Sequence, residues 1–331
     1  MKITVLGSGS WGFAIAALLA SKGYELLLWT RDKELAKHLT EKKPHPLFKD
    51  LPIPDGLTWT TDLDEATFKR DLIVEAVTSE GLRPVFREIP KTNITCPIAI
   101  SSKGIEKESL LTLPEVLADV LGNVSKGKIG LLSGPSFAQE VIRGKPTSVV
   151  AASDNEEVMR FIARCFNTPT FRVYPNSDVI GVAFGGSIKN IIAVACGISD
   201  GLKLGASARA ALMTRGLHEM RKLAISAGGR SDTLSGLSGM GDLIATCSSP
   251  LSRNYSFGKL LAEGKSAEEA LAQIGMVVEG AYTAHSVEML ARRKEVPLPI
   301  TSAVYGLIYE HLSPMMALQS LMQREVKEEH L

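Results

Sequence analysis

Lys2-Ile-Thr-Val-Leu6 runs directly into Gly7-Ser-Gly9-Ser-Trp-Gly12, and a helical pattern over residues 11–22 follows. The β-branched run reads as a strand, and the glycines read as the turn that carries it into a helix. Gly7 permits the tight turn, Gly9 lets the backbone approach a pyrophosphate, and Gly12 lets helix and strand pack closely. The helix N-terminus adds unpaired N–H groups and the positive end of its dipole. In this strand-turn-helix context the glycines form a dinucleotide-binding signature; without that context they are only a glycine turn.

Working outward, short β-branched runs alternate with helical patterns through the first half. Strands are expected at 3–6, 25–29, 72–76, 98–101, 129–132 and 148–151, with 171–174 as an edge strand. Helices are expected at 33–40, 110–121 and 156–165, and Pro44, Pro46, Pro52 and Pro54 mark an irregular loop. Alternation of this kind implies an α/β, doubly wound, mostly parallel sheet, whose ligands gather at the carboxyl ends of the strands. From about Asp178 the strand signal disappears. Helical spacing then covers 188–198, 206–227, 256–262, 266–273, 280–293, 299–309 and 315–323. The expected organisation is a nucleotide domain over 1–180 and an all-helical substrate domain over 181–331, with the charged run 324–330 as a solvated tail.

Composition sets limits on function. The 331 residues are 45% hydrophobic and 22% charged, with a formal net charge of +1. That balance exerts no general pull on nucleic acid or anionic membrane, so any anion site must be a local constellation. Cys96, Cys165, Cys196 and Cys247 form no C-x-x-C pair and read as reduced thiols of a cytoplasmic protein. His38, His45, His218, His285, His311 and His330 show no ligand spacing, so no metal is expected. The apolar runs at 13–20 and 188–198 are too short to span a membrane, and glycines interrupt what would otherwise resemble a signal peptide.

Several residues carry candidate chemistry. After the second strand come Arg31 and Asp32: an arginine there accepts a 2′-phosphate and an acid binds a 2′-hydroxyl. Asp32 equally reads as the cap of the helix over 33–40. The reading leans to NADP(H), with NAD(H) open. Lys189, beside Asn190, opens an apolar helical segment. It is either a snorkelling surface lysine or a proton donor with a lowered pKa. Asp242, after Gly239-Met-Gly241, either caps a helix starting at Leu243 or faces a ligand. Ser252-Arg253-Asn254 reads as a loop, either plain surface or a phosphate clamp built on the planar guanidinium. Ser101-Ser-Lys103-Gly104 and Ser133-Gly134-Pro-Ser136-Phe-Ala138 each end a strand, where active-site groups collect in this architecture.

With these motifs in order, the chain resembles bacterial NAD(P)-dependent glycerol-3-phosphate dehydrogenase almost end to end. The match includes Gly7-Ser-Gly-Ser-Trp-Gly12, Ser102-Lys-Gly-Ile105, Leu132-Ser-Gly-Pro-Ser-Phe-Ala138, Gly186-Ser-Ile-Lys-Asn190, Ser238-Gly-Met-Gly-Asp242, Ser252-Arg-Asn254 and Val278-Glu-Gly280. The resemblance implies a Rossmann domain plus a helical domain with the active site between them. It implies interconversion of dihydroxyacetone phosphate and sn-glycerol 3-phosphate for phospholipid synthesis. Lys189 would be the proton acceptor in oxidation and the donor in reduction, Lys103 would touch substrate and cofactor, and Asp242 would orient both lysines. Gly134, Ser136, Ser252, Arg253 and Asn254 would hold the substrate. Ser10, Trp11, Arg31, Ala138, Val277 and Glu279, with Lys103, Arg253 and the three glycines, would line the dinucleotide site. A homodimer is allowed for.

Two places depart from the family pattern. Val77-Thr78-Ser79-Glu80-Gly81, preceded by an unusual Glu75, stands where the family has Val-Pro-Ser, and Phe48-Lys-Asp-Leu51-Pro52 stands where it commonly has Tyr-Leu-Pro. Two rival readings follow. One is a related reductase of a hydroxy acid or keto acid, whose carboxylate would also suit Arg253. The other is a non-catalytic dinucleotide sensor that kept the fold.

Overall fold

The aliphatic runs of the first half form one eight-stranded sheet. Its strands are β1 Lys2–Leu6, β2 Glu25–Trp29, β3 Leu57–Thr60, β4 Leu72–Glu75, β5 Ile98–Ile100, β6 Ile129–Ser133, β7 Thr147–Ala152 and β8 Phe171–Asn176. They lie in the order β3-β2-β1-β4-β5-β6-β7-β8, and every neighbouring pair is parallel except β6 and β7. Strands covered on both faces must be apolar throughout rather than alternating. Ile3, Val5, Leu6, Leu72, Ile73 and Val74 accordingly have no exposed surface. The computed structural model describes residues 1–326 and 328–329; Lys327 and His330, named above in the tail and among the histidines, lie outside the described residues, as does Leu331.

The helices of this half are α1 Ser10–Ala20, α2 Lys33–Thr40, α3 Leu63–Thr67, α4 Ser79–Glu88, α5 Leu113–Leu121, α6 Ala138–Val141 and α7 Glu156–Phe166. Four elements escaped the sequence pattern: β3, α4 and the short helices α3 and α6. β3 reads Leu-Thr-Trp-Thr with only its end residues buried, and its pairing with β2 (Leu26 to Leu57) makes it a strand. α4 carries Pro84 in its interior, which removes one helical N–H, and it forms nonetheless behind the Thr78 cap. The helix expected from residue 110 starts at Leu113, because Leu110 has φ 62°.

The second half is helical: α8 Val179–Gly201, α9 Ala206–Ser226, α10 Ser231–Leu234, a π-helical turn Leu237–Gly241, α11 Asp242–Ser248, α12 Arg253–Ala262, α13 Ala267–Ile274, α14 Glu279–Arg293, α15 Pro299–Tyr309 and α16 Pro314–Met322. α8 is longer than the apolar run 188–198 foretold, and by length and composition it could cross a membrane. Here every residue from Gly181 to Ser199 is buried in the protein, so the helix is apolar all round because it is a core helix. Close approach of α12 is set by glycine pairs. A Cβ on Gly197 would overlap the Tyr255 carbonyl, and one on Gly258 would overlap the Val194 carbonyl.

The chain divides into two compact units, Met1–Ser102 with Leu113–Val179, and Lys103–Thr112 with Ile180–Leu331. The second unit therefore includes a ten-residue excursion from the first half. Ile105 and Leu110 of that excursion belong to the helical core. In the same core the buried Glu219 of α9 accepts hydrogen bonds from the Ile300 N–H (2.5 Å), the Thr301 N–H (3.1 Å) and the Thr301 hydroxyl (2.9 Å). It thereby satisfies the first turn of α15. Burial pushes its pKa up to about 7, against the pull of those three donors. Glu219→Ala should cost about 3 kcal/mol, since it leaves the α15 donors buried and unpaired; a denaturant titration measures it. The folded pKa lies above the unfolded value, so this group's contribution is full at acid pH and is lost as pH rises through about 7. The melting temperature of the native chain should accordingly fall relative to Glu219→Gln between pH 5 and 7.

Candidate active site

In the first unit the site is organised by the reversal of strand order. β1 has β2 on one side and β4 on the other, which opens a crevice at their carboxyl ends. The glycine turn fills that point. Gly7 has φ +116°, and a Cβ on Gly12 would overlap the Gly7 carbonyl oxygen. Gly9, in contrast, is exposed with nothing within 4 Å of where a Cβ would stand. Gly9 is the N-cap of α1, with no side-chain cap and no acid in the first turn. The helix start thus offers free N–H groups and a positive dipole end, which fits a pyrophosphate. Half-buried Ser10 and Trp11 flank it, and Ala138 opens α6, which packs on α1.

The loop carrying Phe48 packs beneath this turn. Phe48 and His45 stack on Phe13 at 5.7 and 4.5 Å, and His45 Nε2 lies 3.0 Å from the Ser8 carbonyl. The Leu47 N–H donates to His45 Nδ1 at 3.2 Å, so Nε2 carries the proton that Ser8 accepts. Burial lowers the His45 pKa and keeps the ring neutral. Sequence spacing had left His45 as one scattered histidine; its supporting contact under the turn exists only through the fold. Arg31 is exposed, while Asp32 caps α2 by accepting from the Leu35 N–H at 2.9 Å. After β6, Gly134 is buried, and half-buried Ser136 donates to its carbonyl at 3.0 Å.

In the second unit Lys103, Lys189 and Asp242 converge. Asp242 is the first residue of α11, and its carboxylate turns away from the helix start rather than capping it. One oxygen accepts from Lys189 Nζ at 2.6 Å and the other from Lys103 Nζ at 2.6 Å. Lys189 also donates to the Thr246 hydroxyl at 2.8 Å, and that hydroxyl donates to the Asp242 carbonyl at 2.6 Å. Thr246 was missed by sequence reading, although its i+4 spacing from Asp242 places both on one helix face. The excursion bearing Lys103 is tied to α8 by the Ser187 hydroxyl, which donates to the Gly104 carbonyl at 3.0 Å.

Burial decides the electrostatics. Lys189 is only 7% exposed, which excludes the surface-lysine reading. Desolvation lowers its pKa to about 8; the Asp242 charge opposes that shift and Lys103 adds to it. Burial also pushes the Asp242 carboxyl up, but the two ammonium groups outweigh it and hold the acid ionised. The result is a desolvated carboxylate shared by two cations, one of them poised to exchange a proton near neutral pH.

Ser252-Arg253-Asn254 is not a loop, as the sequence suggested, but the start of α12. Ser252 is its N-cap and accepts from the Tyr255 N–H at 3.2 Å. Arg253 is exposed and forms no hydrogen bond or ion pair with protein among the described residues. Desolvation lowers its pKa and nearby Glu279 counters this, which leaves the guanidinium charged. Asn254 is more committed than expected. Its amide donates to Asn190 Oδ1 at 2.9 Å and accepts from the Gly280 N–H at 2.8 Å, and so joins α8, α12 and α14. Val277 is exposed and Glu279 opens α14. Among the described residues no group of three or more His, Cys, Asp or Glu could hold a metal.

A doubly wound sheet with a glycine turn at its switch point, followed by helices that carry a buried lysine–carboxylate cluster, defines a dinucleotide-dependent oxidoreductase. Comparison narrows this. The family model described as NAD-dependent glycerol-3-phosphate dehydrogenase N-terminus matches residues 2–159, and the model described as its C-terminus matches residues 178–319. The glycerol-3-phosphate dehydrogenase [NAD(P)+] of Protochlamydia amoebophila is 55% identical over 100% of this chain and 99% of the relative, and that of Chlamydia caviae is 49% identical over the same shares. The crystal structure of glycerol-3-phosphate dehydrogenase from Coxiella burnetii superposes with a TM-score of 0.92 at 38% identity, covering 98% of this chain and 99% of that one. The chain belongs to the NAD-dependent glycerol-3-phosphate dehydrogenase family.

Gly9 allows a test that separates binding from folding. Gly9→Ala should fold normally, because its methyl meets no protein atom. It should raise the dinucleotide Kd about tenfold or more by standing where the pyrophosphate meets the backbone. An unchanged Kd in a fluorescence titration would remove the turn from the cofactor site.

Proposed function

We propose that this chain interconverts dihydroxyacetone phosphate and sn-glycerol 3-phosphate with NAD(P)H, and that Lys189, Lys103 and Asp242 carry the proton chemistry. The observation behind this reading is the buried Lys189, 2.6 Å from Asp242 and lowered to about 8. The nicotinamide, when bound, supplies or accepts the hydride. As negative charge grows on the carbonyl oxygen in reduction, the two ammonium groups stabilise it, and Lys189 donates the proton that completes the alcohol. Asp242 keeps both lysines oriented without taking the proton itself. Arg253 supplies the charge for the phosphate, with Ser252, Asn254, Gly134 and Ser136 completing the substrate contacts.

The glycine turn with Ser10, Trp11, Ala138, Val277 and Glu279 forms the proposed dinucleotide site. NADP(H) is slightly favoured over NAD(H): Asp32 already spends a carboxylate oxygen on the α2 cap, while Arg31 is exposed. The physiological reading is a cytoplasmic enzyme that supplies glycerol 3-phosphate to phospholipid synthesis, with a homodimer as the proposed assembly, which sedimentation tests. A hydroxy-acid or keto-acid reductase would use Arg253 on a carboxylate instead. Oxidation of NADH and of NADPH, with dihydroxyacetone phosphate beside unphosphorylated dihydroxyacetone, decides the matter. Turnover with the phosphate ester alone supports the proposal; turnover with a keto acid instead overturns it.

Lys189→Ala should lower turnover at least ~100-fold if the ammonium is the general acid, with cofactor affinity unchanged. Reduction needs Lys189 charged, so its rate should fall as pH rises through about 8, whereas oxidation should rise over the same interval. Arg253→Ala should chiefly raise KM for the phosphorylated substrate, by tenfold or more for a lost charge-assisted pair (about 1.4 kcal/mol). Steady-state kinetics in both directions check each expectation.

A further inference from the structure

Glu75 is the last residue of β4, in a strand otherwise made of Leu72, Ile73 and Val74, and like them it has no exposed surface. A carboxylate in the middle of a parallel sheet is expensive to bury, and an aliphatic residue would fit the strand at no such cost. Its bonds show what it holds. One carboxylate oxygen accepts from the Val77 N–H at 2.9 Å, and the other accepts from the Ser102 hydroxyl at 2.6 Å and the Ser102 N–H at 3.3 Å. The Glu75 main-chain carbonyl accepts from the Ser101 N–H at 3.0 Å and the Ser101 hydroxyl at 2.5 Å. The two residues that precede Lys103 are thus pinned to the end of β4 by four hydrogen bonds, two of them accepted by the carboxylate.

The location gives those bonds a consequence. The chain passes from its first compact unit to its second at the Ser102–Lys103 bond, and the next side chain reaches Asp242. We propose that Glu75 is a positioning residue: by clamping Ser102 it sets where the adjoining Lys103 presents its ammonium group. This rests on the role of Lys103 given above. Neighbouring β1 and β5 put Leu6 and Ile100 in register with Glu75. The only titratable side chain on those two strands is Lys2, exposed at the far end of β1. Burial raises the Glu75 carboxyl to about 7, against the hydrogen bonds it accepts from Ser102 and Val77. The ionised carboxylate accepts from the Val77 N–H, the Ser102 N–H and the Ser102 hydroxyl. On protonation one oxygen becomes a donor and the clamp on Ser102 loosens.

Glu75→Val supplies the side chain a buried strand would ordinarily carry. A purely structural Glu75 predicts an unchanged or higher melting temperature with native kcat, because a well-packed apolar residue often replaces a buried charge without loss. The positioning role predicts the same thermal stability and dinucleotide Kd but a kcat lowered ~10–100-fold, the range expected of a misplaced catalytic group. Glu75→Gln, which keeps an acceptor for Ser102, should restore much of kcat. The native enzyme should show a rise in kcat through about pH 7 on the acid side of its profile, and the glutamine variant should lack it. Native kcat in the valine variant overturns the proposal. Joint loss of dinucleotide binding and turnover overturns it in favour of a cofactor-pocket role. If the valine variant does not fold, the pH profile of the glutamine variant decides, and an acid-side inflection retained there overturns the proposal. A native protein inactive on dihydroxyacetone phosphate would count against the proposed reaction, whereas a glutamine variant that failed only in its pH profile would count against Glu75 alone.

Discussion

One buried carboxylate must neutralise two ammonium groups, and the second unit is built to meet that demand. Asp242 receives Lys189 from 53 residues away and Lys103 from 139 residues away, both at 2.6 Å. None of the three could be buried alone, because an unpaired charge in an apolar interior costs several kcal/mol. Together they remain marginal: desolvation still lowers Lys189 to about 8. That residual penalty suits the proton-donor role proposed for Lys189, since a general acid works best when its pKa lies near the working pH. The core helix α8, the π-helical turn before α11 and the excursion carrying Lys103 all serve to bring these groups within bonding distance.

The first unit solves a different problem with backbone instead of side chains. Its parallel sheet leaves a crevice where strand order reverses, and the glycine turn presents uncapped N–H groups there. Anion recognition by a helix start needs no charged side chain, so the strands can stay wholly apolar. Among buried strand residues Glu75 is the charged one, and it lies at the same carboxyl edge of the sheet. A polar group tolerated at that depth marks a place where local stability yields to the geometry of the following loop.

Family membership makes the departures in this chain more informative. Thr78 stands in the turn after β4 where the family pattern has proline, and it caps α4 by accepting from the Gly81 N–H at 3.2 Å. The segment 48–52 departs from Tyr-Leu-Pro, and its Phe48 is buried against Phe13 beneath the glycine turn. Both segments belong to the first compact unit.

Local pattern alone was enough to place most of the sheet, the glycine turn and the later helices, because short β-branched runs between turn signals and helices of period 3.6 leave their marks on neighbouring residues. The exceptions share one cause. β3 became a strand through its pairing with β2, α4 formed despite Pro84, and α8 lost its periodicity because it is buried on every face. Local pattern also named Lys189 and Asp242 as candidates but left each between a bland role and a chemical one. Their partnership spans 53 residues, and the burial that lowers Lys189 comes from the surrounding helices. The bond from Lys189 to Thr246, the place of His45 under the turn and the clamp of Glu75 on Ser102 belong wholly to tertiary structure. A sequence determines which side chains are available and the local conformation around them; their desolvation and distances depend on residues far along the chain, and those set the chemistry.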